Sequence, residues 1–429
     1  MMATPPFRQD CLDLEMATEA PGATARVHIV TEIDDAGSTV TSLWKGLPNH
    51  FGVGWPIDIK ADCQRHTDHT GGRPFGRLAY DPATLGGMSP KVAENEGESV
   101  SRAPIGAFEA TVTGIEDLSP TFRRITFGGP GLDDFGPKGH PRDLRFKLII
   151  PPQGAREPQF DLLSFLAEQE EAGVSWYQAW LQVDPEVRGS MRTYTVRQWS
   201  EENGELLVDM VLHVDADGHS GPAAGWAQAA QVGDRLHIIG PSRHAEGPSA
   251  GIEFEPGDAH QILLAGDETA VPAIASILDS IKDTQTRGKA ILEVPTADDI
   301  IDIDAPDGFE LEWLPRGDAA FGELLDPAVR EAVRSEVPTS SAPSSSPAEV
   351  GLEDVNIDEE ILWDVPAALT QAAQSSSSET EKVERPFYAW IAGEAGPVKR
   401  LRRYLVQEVG VDRKQIAFMG YWREGKAEG

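Results

Sequence analysis

From residue 105 to about 243 the chain runs as short stretches of alternating apolar and polar residues, split by glycine and proline. FEATVTGIEDLS, FRRITFGG, DLRFKLIIPP, GSMRTYTVRQW, GELLVDMVLHV and GDRLHIIGP are examples. A period of two sets every second side chain on one face, the mark of a half-buried strand. Six or so such runs with turns between them predict an antiparallel barrel or sandwich. One helix-like stretch, GPAAGWAQAAQ, interrupts them. From about residue 258 the texture changes. AHQILLAGDETAVPAIASILDSI reads as an apolar strand, a glycine-containing turn and a helix. GKAILEVPT is a second strand and FELEWLPRG a third. PFYAWIAGEAGPVKRLRRYLVQEVG repeats strand, turn and helix, and IAFMGYWREG closes the chain. This alternation predicts a parallel-sheet α/β domain.

Two stretches stand outside these patterns. Residues 1–95, with ARVHIVTE, TSLWKGLPNHFGV and PIDIKADCQ, read as a small α+β unit of short strands and one helix. A polar, patternless linker at 96–104 joins it to the predicted barrel at 105–245. The α/β domain, 258–337 and 386–429, is split by an acidic, serine-rich insertion at 338–385. PTSSAPSSSP and SSSSETE flank EVGLEDVNIDEEILWDVPAALTQAA there, and the expectation is disorder. The fold class is therefore multidomain: a small α+β unit, an antiparallel β-barrel, then an α/β domain.

Composition narrows the chemistry. The 429 residues are 40% hydrophobic and carry a formal net charge of −33. Such acidity argues against general binding of nucleic acid or anionic membranes. The cysteines are Cys11 and Cys63, with no Cys-x-x-Cys, so electrons handled here need an organic cofactor. His50, His66 and His69 read as scattered surface or packing histidines, and no metal is expected. The start, MMATPPFRQD, lacks a signal-peptide pattern, and no run of about 18 apolar residues predicts a membrane span. A cytoplasmic monomer is the expectation.

Four strings can serve one ligand. In MRTYTVRQW, Arg192 offers a fork of donors to a pyrophosphate, Tyr194 a flat face, and Thr195 a hydroxyl that can reach ring nitrogens of a flavin. A strand ending in VLH at His213 leads to a loop and a helix opening at Gly221, Ala223 and Ala224, where free backbone N–H groups suit a diphosphate. LLAGDETAVPAI places Gly266 at a strand–helix turn fit for a nicotinamide dinucleotide, with Thr269 in hydrogen-bonding reach. WIAGEAG is a second such turn, carrying Gly393 and Glu394. Asp267, Glu268 and Glu394 also fit plain helix-capping roles. Trp422 reads as a core residue or a cofactor edge.

Together, LSPTFRRITFGG, RTYTVR, VLH…GPAAGWAQAAQVGDRLHIIGPSR, LLAGDETAVPAI, WIAGE…VKRLRRYL and GYWREG resemble siderophore-interacting proteins, FAD-dependent ferric-siderophore reductases of the ferredoxin–NADP reductase-like superfamily. The resemblance runs from about 105 to 429. It implies an FAD-binding barrel followed by a nicotinamide-binding domain. It implies that Arg192, Tyr194 and Thr195, with Arg197 in the same run, hold FAD, and that His213, Gly221, Ala223 and Ala224 form a second contact. The family usually has Ser where Ala224 stands, so backbone donors have to suffice there. Gly266, Asp267, Glu268 and Thr269 match the nicotinamide turn, with Gly393 and Glu394 beside it. Lys147, Arg243 and Arg423 resemble the family's basic substrate triad. The implied reaction reduces a ferric siderophore with electrons from NAD(P)H or ferredoxin and releases Fe(II). No side chain is needed as acid, base or nucleophile, because the flavin links two-electron and one-electron chemistry. The alternatives are a flavin reductase for another acceptor, such as a quinone, free flavin or ferredoxin, and a non-catalytic siderophore-binding adaptor.

Overall fold

The computed structural model describes residues 104–213, 220–247, 249–282, 284–336, 362–366 and 387–426, and the backbone of three strands nearer the N-terminus. Those strands, β1 (Asp10–Ala17), β2 (Thr24–Ile33) and β3 (Thr39–Trp44), form an antiparallel meander. They lie in a unit spanning Met1–Ala93, and Glu94–Gly429 form a second unit. β2 is the ARVHIVTE run. Most of TSLWKGLPNHFGV past Trp44, all of PIDIKADCQ, His50, Cys63, His66, His69 and nearly all of the 96–104 linker lie outside the described residues.

The second unit opens with seven strands: β4 (Ile105–Asp117), β5 (Phe122–Gly128), β6 (Arg145–Ile150), β7 (Ser190–Thr195), β8 (Gln198–Ser200), β9 (Glu205–Val211) and β10 (Arg235–Pro241). They pair antiparallel in the order β7-β6-β10-β4-β5-β9-β8. β7 and β8 end that list on opposite sides, yet only Val196 and Arg197 separate them in sequence. The Val196 N–H donates to the Leu144 carbonyl beside β6 at 2.9 Å, and the Arg197 N–H donates to Leu207 of β9 at 3.0 Å. Two residues thus link the two edges, and the sheet curls into a half-barrel. Val112, Ile125, Phe127, Leu148, Val208 and Ile238 fill it.

Between β6 and β7 the structure departs from the sequence reading. Three helices, α1 (Leu162–Ala172), α2 (Trp176–Leu181) and α3 (Pro185–Arg188), occupy a stretch where no helix was expected. Leu162 and Trp180 pack on Ile149 and cover the outside of the barrel. The local signals are short-range ones. Asp161 caps α1 by accepting the Ser164 N–H at 3.1 Å, and Gly173 ends it at φ +66°. The helix expected at GPAAGWAQAAQ is α4 (Pro222–Ala229).

The rest is a doubly wound domain: β11 (Gln261–Gly266), α5 (Val271–Ser280), β12 (Arg287–Val294), β13 (Phe309–Pro315), α6 (Leu325–Glu336), β14 (Trp363–Asp364), β15 (Phe387–Glu394), α7 (Ala395–Arg403) and β16 (Ile416–Trp422). The sheet order is β13-β12-β11-β15-β16-β14, parallel throughout except β14. Ile262 and Leu264 of β11 face the core beneath α5, while Leu263 and Ala265 face the core beneath α6 and α7. Burial on both faces explains why this strand is apolar without alternation. β14 belongs to the stretch expected to be disordered. Its five described residues hold because Leu362 and Val365 are buried and Asp364 accepts from Arg402 Nε at 2.8 Å and Arg413 Nη2 at 2.9 Å. The rest of the insertion, 338–361 and 367–385, lies outside the described residues.

Candidate functional site

Strand order reverses between β11 and β15, so the chain leaves their carboxyl ends toward opposite faces and opens a crevice there. Both glycine turns singled out in the sequence meet at that point. Gly266 has no room for a side chain: a Cβ would lie 2.4 Å from Ala270 Cβ and 2.5 Å from the Ala392 carbonyl oxygen. Asp267, 3% exposed, is the hub. Its Oδ1 accepts from the Thr269 N–H at 2.9 Å and the Thr269 hydroxyl at 2.5 Å. Its Oδ2 accepts from the Glu394 N–H at 2.6 Å and from Trp422 Nε1 at 2.9 Å. Gly393, at φ +142°, lets its backbone pass close to this carboxylate. Burial first, and the neighbouring Glu268 second, push the Asp267 carboxyl above the ordinary carboxylate range. Protein donors therefore occupy both oxygens of Asp267, and it braces the crevice floor. Glu394 likewise caps α7 through the Gly396 N–H at 2.7 Å. These two carboxylates do the structural work of capping, and neither oxygen of Asp267 is left over for a dinucleotide.

Behind the floor lies a buried ion network that the sequence reading did not contain. Glu268, fully buried, accepts from both terminal nitrogens of Arg316 at 2.6 Å. Arg316 follows β13, and its guanidinium also lies 3.8 Å from Glu293 and 4.1 Å from the Phe321 ring centroid. Glu293 accepts the Gly322 and Leu325 N–H groups at 2.8 and 2.9 Å, which fixes the loop that carries Phe321. Phe321 meets Trp422 edge-on at 4.7 Å, and the His213 ring lies 5.6 Å from Trp422 on its other contact. His213 thus reaches from the end of β9 to the α/β crevice, with Nδ1 3.8 Å from Glu268. Burial in this concave setting lowers its pKa, and the side chain still keeps 44% of its surface open. Only a tertiary fold brings Arg316, Glu293 and Phe321 to this place, and no local motif marks them.

On the barrel, Arg192 and Tyr194 pair across from Leu148 and Phe146, while Thr193 pairs with Lys147. Alternation therefore sets Lys147 on the face opposite Arg192 and Tyr194. Among the described residues no carboxylate lies in ion-pair range of Arg192, and its Nη1 donates to the Met191 carbonyl at 2.8 Å. Tyr194 is half-buried against the barrel core and Thr195 is buried. Arg197 parts company with them. It donates to Asp279 of α5 at 2.5 Å and lies 3.8 Å from Asp209, so it ties barrel to α/β domain. Gly221 is the N-cap of α4, and no side chain caps that end. The Ala223 and Ala224 methyl groups are buried, which leaves backbone N–H groups as the donors.

The three cations of the expected substrate triad stand on different elements. Lys147 Nζ donates to Thr193 Oγ1 at 2.6 Å. Arg243 donates to Glu201 at 2.7 Å and to the Asp133 carbonyl at 3.2 Å. Arg423 follows Trp422 at the crevice. Among the described residues no cluster of His, Cys, Asp and Glu could hold a metal ion, and no helix is long and apolar enough to cross a membrane.

Comparison with known proteins bears on this geometry. Residues 111–245 match the siderophore-interacting FAD-binding domain, and residues 259–425 match the siderophore-interacting protein family. An uncharacterized protein of Mycobacterium tuberculosis is 31% identical over 331 residues, covering 76% of this chain and 92% of that one. The ferric vibriobactin reductase ViuB of Vibrio cholerae is 31% identical over 244 residues, 57% of this chain and 68% of that one. The NADPH-dependent ferric-chelate reductase of Escherichia coli is 30% identical over 219 residues, 51% and 74% of the two chains.

Proposed function

The chain belongs to the siderophore-interacting protein family, and on that footing we propose that it is an FAD-dependent reductase of ferric siderophores, fed by NAD(P)H. The ferric vibriobactin and ferric-chelate reductases among its relatives support the substrate class. The observation that carries the reading is Arg192. In a chain of net charge −33, thirteen other described arginines lie in ion-pair range of a carboxylate, whereas Arg192, like Arg142 and Arg188, bonds only backbone carbonyls. A guanidinium without a carboxylate beside an aromatic strand residue, in a domain with an uncapped helix N-terminus, fits a dinucleotide diphosphate.

Arg192 would hold the FAD diphosphate, with the α4 N-terminus as a second donor set. Tyr194 would pack along the flavin, and Thr195 would stand near its reactive edge. Bound FAD supplies the link between a two-electron hydride donor and a one-electron acceptor, Fe(III). The chain's own residues orient the partners and exclude water. Asp267 holds the Glu394 backbone and the Trp422 indole in register, which fixes the crevice where the nicotinamide would lie. His213, whose pKa burial lowers, spans barrel and crevice. Lys147, Arg243 and Arg423 would attract an anionic ferric chelate, each from its own side. Siderophores hold Fe(II) far less tightly than Fe(III), so reduction frees the metal.

The test is an absorption spectrum of the purified protein, then anaerobic nucleotide, then a ferric siderophore. The expected protein is yellow, bleaches with nucleotide, and is reoxidised as Fe(II) appears. A yellow protein bleached by neither nucleotide makes ferredoxin the donor. A colourless protein that cannot be loaded with FAD sinks the reductase and leaves the adaptor. A second check is Arg192→Ala, expected to weaken FAD about tenfold or more, read as flavin fluorescence released on dilution with circular dichroism unchanged.

A further inference from the structure

We propose that the crevice selects a dinucleotide whose adenosine ribose carries a free 2′-hydroxyl, NADH, and turns away the 2′-phosphate of NADPH. This rests on the reductase reading only for the identity of the crevice as the nucleotide site. In a doubly wound sheet the adenosine ribose lies at the carboxyl end of the strand beside the glycine-turn strand, here β12. An acid at that end accepts from a 2′-hydroxyl, whereas an arginine accommodates a 2′-phosphate. The segment after β12, Thr296–Gly308, carries Asp298, Asp299, Asp302, Asp304 and Asp307 and no Lys, Arg or His.

The segment is held rigidly. Asp299 accepts from the Thr296 N–H at 3.1 Å and the Thr296 hydroxyl at 2.8 Å, closing a capped turn. The same side chain accepts from the Ser119 hydroxyl and the Thr121 N–H of the barrel, both at 2.9 Å. Asp299 is thereby consumed, and Asp298 stands exposed on a turn fixed from both sides. Asp304 pairs with Lys282 at 2.8 Å. Among the described residues Asp298, Asp302 and Asp307 have no ion-pair partner.

The neighbouring strand offers no relief. The cation at the carboxyl end of β13 is Arg316, 8% exposed, with both terminal nitrogens on Glu268. Turning it outward would leave a fully buried carboxylate unpaired, which is strongly unfavourable. A phosphate monoester brings close to two negative charges at neutral pH. Among the described residues at this edge it meets carboxylates, with Lys282 and Arg316 already paired, whereas a 2′-hydroxyl can donate to Asp298.

The test is calorimetric titration of the full chain with ADP-ribose and with 2′-phospho-ADP-ribose, neither of which needs a working flavin. At low salt ADP-ribose is expected to bind at least tenfold tighter, and added salt should narrow the gap by screening the repulsion. Asp298→Asn with Asp302→Asn should improve the phosphorylated ligand several-fold and leave the other within about twofold to threefold. Equal or tighter binding of the 2′-phosphate form overturns the proposal, as does failure of both ligands to bind at millimolar concentration. Dithionite-reduced protein mixed with a ferric chelate tests the reductase reading separately, because that electron transfer needs no nucleotide.

Discussion

Acidic residues at strand–helix turns carry two messages in one letter. Asp267, Glu268 and Glu394 fit a ligand turn and fit capping equally well in sequence, and only their partners decide. Here the partners are the Thr269 and Glu394 N–H groups, Trp422, Arg316 and Gly396. Such contacts join residues up to 155 positions apart, which no local pattern encodes. Glu268→Gln removes the charge opposite a buried guanidinium, and a loss of about 3–5 kcal/mol in urea unfolding is expected. Unchanged stability would mean that water already serves Arg316. Asp143 gives a pH signature. It is buried, accepts from Trp390 Nε1 at 2.9 Å, and desolvation pushes its carboxyl up to about 6. Its folded pKa lies above its unfolded value of about 3.9, so the folded state holds the proton more tightly between the two. Its contribution is therefore fully present below pH 4 and declines as pH rises through 6, by on the order of 3 kcal/mol. Asp143→Asn should flatten that limb of the stability–pH curve, and an identical limb in the variant would assign it to other groups.

At the scale of elements, periodicity did well wherever burial follows one simple rule. The strand carrying Arg192 and Tyr194 is β7, the two glycine turns end β11 and β15, and the helix at GPAAGWAQAAQ is α4. The helices α1–α3 escaped because they are short and lie on the barrel's outer wall, so several of their apolar residues are exposed, Leu163, Leu181 and Val187 among them. β14 escaped because two residues carry no period at all. Arg197 shows the same limit inside a correctly placed run. The family resemblance of the run that carries it suggested FAD, but its ion pair with Asp279 makes it a brace between the β-barrel and α5. Arg197→Ala should therefore lower the unfolding midpoint while FAD affinity falls less than in Arg192→Ala, a contrast measurable by thermal melts and flavin release. Reversal of that order would return Arg197 to the flavin.

For the molecule as a whole, the barrel and the α/β domain are joined by contacts that cross the chain widely. Asp299 reaches Ser119 and Thr121, Arg197 reaches Asp279, and Trp390 reaches Asp143. Phe122, Val211 and Phe254 of the barrel side enter the same apolar cluster as α5. Sequence order indicated which domain follows which, and these separations of 82 to 247 residues are why it could not indicate how they meet. The antiparallel sheet curls so that its end strands β7 and β8 are joined through Val196 and Arg197, and the parallel sheet too has two flanks. On one of them β14 lies along β16, pairing Trp363 with Met419 and Asp364 with Phe418. β16 begins IAFMG, apolar and buried, the kind of strand that recruits another copy when its backbone is left bare. β14 is therefore expected to guard that flank against pairing with a second copy. Replacing 338–385 by a short Gly-Ser linker should leave a protein that precipitates or polymerises as concentration rises, seen by light scattering. If it stays monodisperse, the guard lies elsewhere. A segment that looks dispensable to chemistry would then be what keeps a dense solution of this protein clear.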